Sequence, residues 1–452
     1  MKKFLVLLLS LTSVFVLSAC LGGASGEEVE VNIPDEVPEE EITITLWTAY
    51  GEDNENLINE MMEDFPHDNI KLELLSQGDY DGLRQATMQS IVSGNTPELV
   101  LGYPDHFVEY LTGNSLVPLQ DYIDNDEHGV DEDDFVEGFM EENQQYEDGN
   151  QYSLPFSKST EMLVYNKDKF DANGIEFDSG ETIYYSDLED MADTMVGDGE
   201  DQCEKLFNVD SGANLFINGS RQWDAPYTNV EGEVLIDNDE TRGMLDYFRD
   251  LMDEDALTLP IEWDESYGSG PFIDGDVCMT QGSTAGARYN VSEDFENGYL
   301  PAIQKEDGEP SVIQQGPNIA MMSDTSDEER LASWLIIKHL TNTENSAFFS
   351  MNSGYMPVRQ SSFETDEYED FLSILDEDYD DLNPDELDQY PFAAAANVAR
   401  EQSDRYAYEP AFTGDVSSAK VRNEAESAIE RIYAETNTVD EALDRMLNQL
   451  GQ

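Results

Sequence analysis

The chain has 452 residues and carries 100 Asp or Glu against 22 Lys or Arg, a formal net charge of −78. Neutralising phosphate takes clustered Lys and Arg, so this balance excludes a nucleic-acid binder and a protein held by charge to an anionic membrane surface. High charge alone would favour disorder, but 39% apolar content with 20 Phe, 4 Trp and 22 Tyr supplies folded cores, and the length predicts two lobes or domains at roughly 100–200 residues each. Self-repulsion of this size calls for screening, which predicts a halophilic, salt-adapted protein. An alkaline habitat explains it less well, because Asp and Glu are already ionised at neutral pH.

Lys2 and Lys3 followed by the apolar run Phe4 to Leu17 have the dimensions of a signal peptide and are too short for a spanning helix. The run ends in Leu17-Ser18-Ala19-Cys20, which is similar to the bacterial lipoprotein box. The resemblance implies cleavage of residues 1–19, acylation of Cys20 (palmitate among its chains) and a lipid-anchored protein on the extracytoplasmic face of the cell membrane. Residues 20–41 are Gly-rich and then acidic, and predict an extended tether.

The body opens with the alternating strand Ile42-Thr43-Ile44-Thr45-Leu46-Trp47. A helical repeat at Leu57, Met61, Met62 and Phe65 follows, and then a second strand, Ile70 to Leu75. With the buried strand at 97–103 this predicts an open α/β sheet, whose ligands sit beyond the carboxyl ends of the strands. Trp47 to Tyr50, Gly78 to Tyr80 and Tyr103 to Asp105 stand at such ends. Asp121 to Asp148 and Glu364 to Asp388 hold thirteen carboxylates each and no Lys or Arg, without ligand spacing, and read as solvated surface. The segment Asp124-Asn125-Asp126-Glu127-His128-Gly129 fails as a calcium loop because Phe135 stands where the closing Glu belongs. Cys203 and Cys278, 75 positions apart, leave a disulfide open, and the four His form no zinc pattern. Neither a metal nor a cofactor is expected. Further on, Thr325/Glu328 or Ser326/Glu329 offers a capping box. Val421, Ala425, Ala428, Ile429 and Ile432 form one helical stripe, and Thr438 with Glu441 caps a last helix.

Six blocks in order carry a family likeness: ITLWTAYGE, NTPELVLGYPDHFVEYLTGNSLVPLQDYI, YSLPFSKSTEMLVYNKDKF, FIDGDVCMTQGS, ASWLIIKHLTNTENSAFFSMNSGYMPVR and TVDEALDRMLNQL. From about Ile42 to the C-terminus the chain resembles the family 1 solute-binding proteins of ABC importers, in particular the lipoproteins that bind glycerol-3-phosphate or sugars. The resemblance implies a two-lobe, hinged periplasmic-binding-protein-like α/β fold of type II. Lobe 1 would be 41–160 plus 301–343 and lobe 2 161–300 plus 344–452, with crossings near Ser159–Met162, Tyr299–Pro301 and Thr341–Asn345. It implies a monomer that hands a sugar or polyol phosphate to membrane permease subunits.

Carried over by position, the ligand residues would be Tyr80, Ser159, Ser283, Gly316, Tyr355 and Arg422, and Trp47 and Asp105, which stand at strand ends, complete the candidate set. Hydroxyls and a backbone amide suit hydroxyl or phosphate oxygens, and Arg adds a charge-assisted fork. Pro104 stands where the glycerol-3-phosphate binders have a carboxylate, and no Trp-rich cover lies between Cys203 and Asn218. Ser418 replaces the aromatic platform of maltodextrin binders. No catalytic residue is assigned. The alternative, a surface-anchored esterase or glycosidase, requires a nucleophile or carboxylate pair that only geometry can identify.

Overall fold

A computed structural model describes residues 29–452 apart from Glu147, Val230 and Asp415, so the leader and Cys20 lie outside the described residues. The alternating apolar runs pair into two five-stranded sheets. The first is ordered β2 (Ile70–Ser76), β1 (Ile42–Thr48), β3 (Leu99–Gly102), β11 (Asn318–Met321) and β4 (Ser153–Pro155). β1 is parallel to both neighbours, while β11 runs antiparallel to β3 and β4. The second is ordered β7 (Leu257–Thr258), β6 (Lys205–Val209), β8 (Val277–Ser283), β5 (Glu161–Asn166) and β9 (Asn297–Pro301). A short parallel pair joins β10 (Val312–Ile313) to β12 (Tyr406–Ala407).

Each sheet has its own apolar core. Ile44, Leu46, Leu101 and Trp334 centre the first, and Phe207, Phe216, Phe248 and Ile429 the second. A third cluster, including Phe272, Phe371 and Phe392, lies under the helix Pro384–Glu401. The helix Asp327–Leu340 starts at a Ser326/Glu329 capping box and the helix Val439–Leu450 at Thr438/Glu441. Cys203 and Cys278 form a disulfide.

Three chain segments meet at the crossover. Ser159 exchanges both backbone hydrogen bonds with Gln315 (2.9 and 2.8 Å), and the Met356 N–H donates to the Lys158 carbonyl at 2.6 Å. Two crossings differ from expectation. β9 pairs with β5 in the second sheet and Ile303 lies in the second core, so the return to the first lobe comes at Gln314–Pro317 and not at Tyr299–Pro301. Phe349, Met356 and Val358 belong to the first core, which moves the last crossing beyond Arg359 and away from Thr341–Asn345. Both shifts have one cause: the chain stays where its apolar residues are buried, and the family spacing does not carry that information.

The expected free tether is corrected over its described part. Val29, Val31, Ile33 and Val37 pack against the first core, Arg330 donates to the Glu30 carbonyl at 3.0 Å, and Asn69 donates to the Pro38 and Glu40 carbonyls at 2.6 and 3.0 Å. The alternation of Val29, Val31 and Ile33 is the signal that the acidic composition masked.

Candidate ligand-binding cleft

Parallel strands leave their carboxyl ends facing the gap between the sheets, and helices begin there. Asp79 caps the helix Tyr80–Ser93 by accepting from the Gly82 N–H at 2.8 Å, which sets Tyr80 in the first turn. Tyr103 precedes the helix Pro104–Leu111, whose first turn carries Asp105. The Tyr80 and Tyr103 rings are 4.8 Å apart, and His106 meets Tyr103 edge-on at 5.4 Å. From the second lobe come Tyr227, Glu409 and the helix Ser418–Tyr433, capped by Ser417, with Arg422 on its second turn. These residues, with Glu142, Gln314 and Gln315 at the crossover, line a cavity of about 280 Å³.

Arg84 is held by Asp81 at 2.7 Å and Glu109 at 2.8 Å. Arg422 instead donates to the neutral amide oxygen of Asn214. Glu409 pairs with Arg221 at 2.7 Å. Burial pushes the Glu409 carboxyl up, Arg221 and Arg422 hold it down, and Asp105 on the facing lobe adds a rise. Burial lowers His106. At the crossover Lys158 is buried against Glu142 and donates to the Gly316 carbonyl at 2.8 Å, while Gln314 donates to Glu142 at 3.0 Å. Burial raises Glu142 and lowers Lys158, and the attraction between them opposes both shifts. Three polar atoms around the cavity are buried without a hydrogen-bond partner, His106 Nδ1, Tyr227 Oη and Glu409 Oε2, while the Tyr80 hydroxyl meets those of Tyr103 and Tyr355.

Of the eight positions read from the sequence, the structure brings Tyr80, Asp105 and Arg422 to this cavity. The other five lie outside its lining. Trp47 packs on the first core, and Tyr355 stacks on Phe349 at 5.8 Å and lies 6.0 Å from Tyr50. Ser283 caps the turn Thr284–Asn290 by accepting from the Ala285 N–H at 3.2 Å, and Ser159 carries the crossover pairing.

Gly316 is there for space. It has φ +91°, and a Cβ would sit 2.1 Å from the Ser157 carbonyl oxygen. Gly316→Ala should therefore lower stability by about 1–3 kcal/mol or more from backbone strain and clash. A thermal melt at high salt checks this, and an unchanged midpoint contradicts it. Tyr227, Glu409, Gln315 and Asn214 were missed in the sequence, since none belongs to a periodic pattern or motif. Tyr227 lies nine residues beyond Asn218, outside the stretch that corresponds to the Trp-rich cover of the glycerol-3-phosphate binders.

A family model described as bacterial extracellular solute-binding protein matches residues 56–371. The sn-glycerol-3-phosphate-binding periplasmic protein UgpB of Escherichia coli (strain K12) is 21% identical over 338 residues, covering 71% of this chain and 75% of that protein. Among solved structures, UgpB from Mycobacterium tuberculosis in complex with glycerophosphocholine superposes with a TM-score of 0.73 at 19% identity, over 90% of this chain and 97% of that one. An ABC substrate-binding protein from Listeria monocytogenes in complex with cycloalternan also gives 0.73, at 17% identity, over 91% and 98%. With two α/β lobes around a polar cleft and a family match across most of its length, the chain belongs to the bacterial extracellular solute-binding proteins.

Proposed function

We propose that this protein is the substrate-binding lipoprotein of an ABC importer. It captures a carbohydrate-type ligand, a sugar or a glycerol-3-phosphate-like polyol phosphate, between its lobes and delivers it to a membrane permease. The observation that carries this reading is one cavity lined by polar groups of both lobes, Tyr80 and Asp105 facing Arg422, with three unpartnered polar atoms around it: His106 Nδ1 from the first lobe, Tyr227 Oη and Glu409 Oε2 from the second. A buried polar group without a partner costs about 1–3 kcal/mol, and a hydroxyl-rich ligand relieves that cost while joining the lobes in a hinge closure. The rings of Tyr80, Tyr103 and Tyr227 provide the apolar faces such ligands use.

Charge favours the neutral member of the pair. Asp105 and Glu409 flank Arg422, so vicinal hydroxyls can donate to the carboxylates and accept from the guanidinium, whereas a phosphate dianion would meet both acids. The relatives support the class broadly, since their ligands are glycerol-3-phosphate, glycerophosphocholine and cycloalternan. Isothermal titration in 2 M NaCl with maltose, trehalose, glycerol, sn-glycerol 3-phosphate and glycerophosphocholine tests it. Binding of at least one is expected, and silence across all five would remove the reading.

In this reading anchoring rests on Cys20, the last residue of the Leu17-Ser18-Ala19-Cys20 box. Cys20→Ser should release the protein into the medium or stall its processing. Fractionation of cells expressing the variant checks this, and retention in the envelope equal to wild type contradicts it.

A further inference from the structure

Behind Arg422 lies a buried carboxylate that touches no base. Glu161, the first residue of β5 and 1% exposed, stands two positions past Ser159 at the crossover. Its Oε1 accepts from Asn214 Nδ2 at 2.7 Å, and its Oε2 accepts from Asn218 at 2.9 Å and Gln281 at 3.1 Å. Asn214, 4% exposed on the helix Gly212–Gln222, thus has its NH₂ turned toward Glu161 and its Oδ1 toward Arg422. Gln315, from the returning crossover strand, completes the ring: its Oε1 accepts from Asn214 at 3.1 Å and its Nε2 donates to Asn214 Oδ1 at 3.3 Å.

We infer that Glu161 is a positioning residue for the cleft: its carboxylate fixes the orientation of the Asn214 amide, and that orientation fixes the Arg422 guanidinium where a ligand meets it. An ionised carboxylate only accepts, so it holds the donor end of Asn214. A protonated or amide side chain at 161 carries a donor. With Asn218 and Gln281 still donating to one oxygen, that donor faces Asn214, the amide turns over, and its NH₂ is presented to the guanidinium, donor against donor. Arg422 then loses its anchor.

The network responds to pH in a range that is easily measured. Burial pushes Glu161 up to about 7, against the hydrogen bonds from Asn214 and Gln281. The charged or titratable groups facing it are Asp210, ahead of the helix Gly212–Gln222, which raises it; Arg422, on the helix Ser418–Tyr433, which lowers it; and Tyr185, on the helix Tyr185–Met195. Asn214, Asn218, Gln281 and Gln315 are neutral. A carboxyl whose folded pKa is raised lowers the stability of the folded state as pH climbs from its unfolded value to its folded one. Ionisation therefore opposes folding while it organises the site, and the two effects separate in a variant.

The inference rests on the cleft being the ligand site, and the test keeps the two apart. In Glu161→Gln the melting temperature at pH 8 should equal or exceed wild type, while affinity for maltose and for sn-glycerol 3-phosphate, the two probes, falls about tenfold, the equivalent of one charge-assisted hydrogen bond. With maltose, which does not itself titrate in this range, wild-type affinity should fall as pH drops from 8.5 to 5.5, and the fall should be smaller in Glu161→Gln, where only the other buried carboxyls Asp210 and Glu409 still titrate. In an Asn214→Ala background Glu161→Gln should have no further effect. Crystal structures at pH 8 should show Arg422 off the Asn214 oxygen in Glu161→Gln. Wild-type affinity in Glu161→Gln, additive losses in the double variant, or an unmoved Arg422 would each overturn the relay. If wild type binds neither probe, the crystallographic comparison alone decides it, and the failure falls on the ligand class instead.

Discussion

Transferred from 2 M to 0.05 M NaCl, the protein should lose its folded structure. The charge of −78 is distributed over surfaces where bases are already shared: Arg84, Arg242 and Arg249 each hold two carboxylates. The remaining acids crowd one another. The helix Asp366–Ser373 opens with Asp366, Glu367 and Glu369, and the turn Glu132–Asp134 is entirely acidic. At 1 M salt the Debye length is about 3 Å and each carboxylate is nearly isolated; at 0.1 M it is about 10 Å and each feels charges a helix width away. Repulsion summed over so many acids competes with a net stability of only about 5–15 kcal/mol. Circular dichroism melts between 0.05 M and 2 M NaCl should show the midpoint rising with salt. An unchanged midpoint would mean that ion pairing and burial carry the fold without screening.

Arg422→Gln should weaken ligand binding by roughly ten- to hundredfold, the worth of a charge-assisted hydrogen bond at about 1.5–3 kcal/mol, and Tyr80→Ala, which removes a neutral hydroxyl and a ring face, by about tenfold. Tyr80 and Arg422 reach the cavity from opposite lobes, so each removal takes away one jaw of the closure and leaves both cores intact. Arg422→Lys discriminates between ligands, because it keeps the charge and loses the fork. With a phosphorylated ligand Lys should retain part of the affinity and Gln almost none, whereas with a neutral sugar the two should lose similar amounts. Titration calorimetry at 2 M NaCl reads all of these. Wild-type affinity in both Arg422→Gln and Tyr80→Ala, with melts unchanged, would move the ligand elsewhere.

Local physics was legible in the sequence. The strands and helices of the first sheet follow hydrophobic period. The boxes at Ser326/Glu329 and Thr438/Glu441 follow from side chains that reach backbone donors three residues away. The order of motif blocks pointed to the family and to Tyr80, Asp105 and Arg422. Motifs could not say which hydroxyls stay free: Ser283 spends its oxygen on the Ala285 N–H, and Gly316 is needed because another backbone passes at contact distance.

Only the tertiary structure decided the rest. It brings Tyr227 and Glu409 to one cavity from 182 positions apart, sets the crossings where the apolar residues are buried, and links Glu161 through Asn214 to Arg422 across more than 250 residues. A periodic pattern records which face of an element is buried. A cleft is set by how two sheets, each with its own core, are joined at a crossover, and that arrangement is encoded in the packing of the whole chain and not in any window of it.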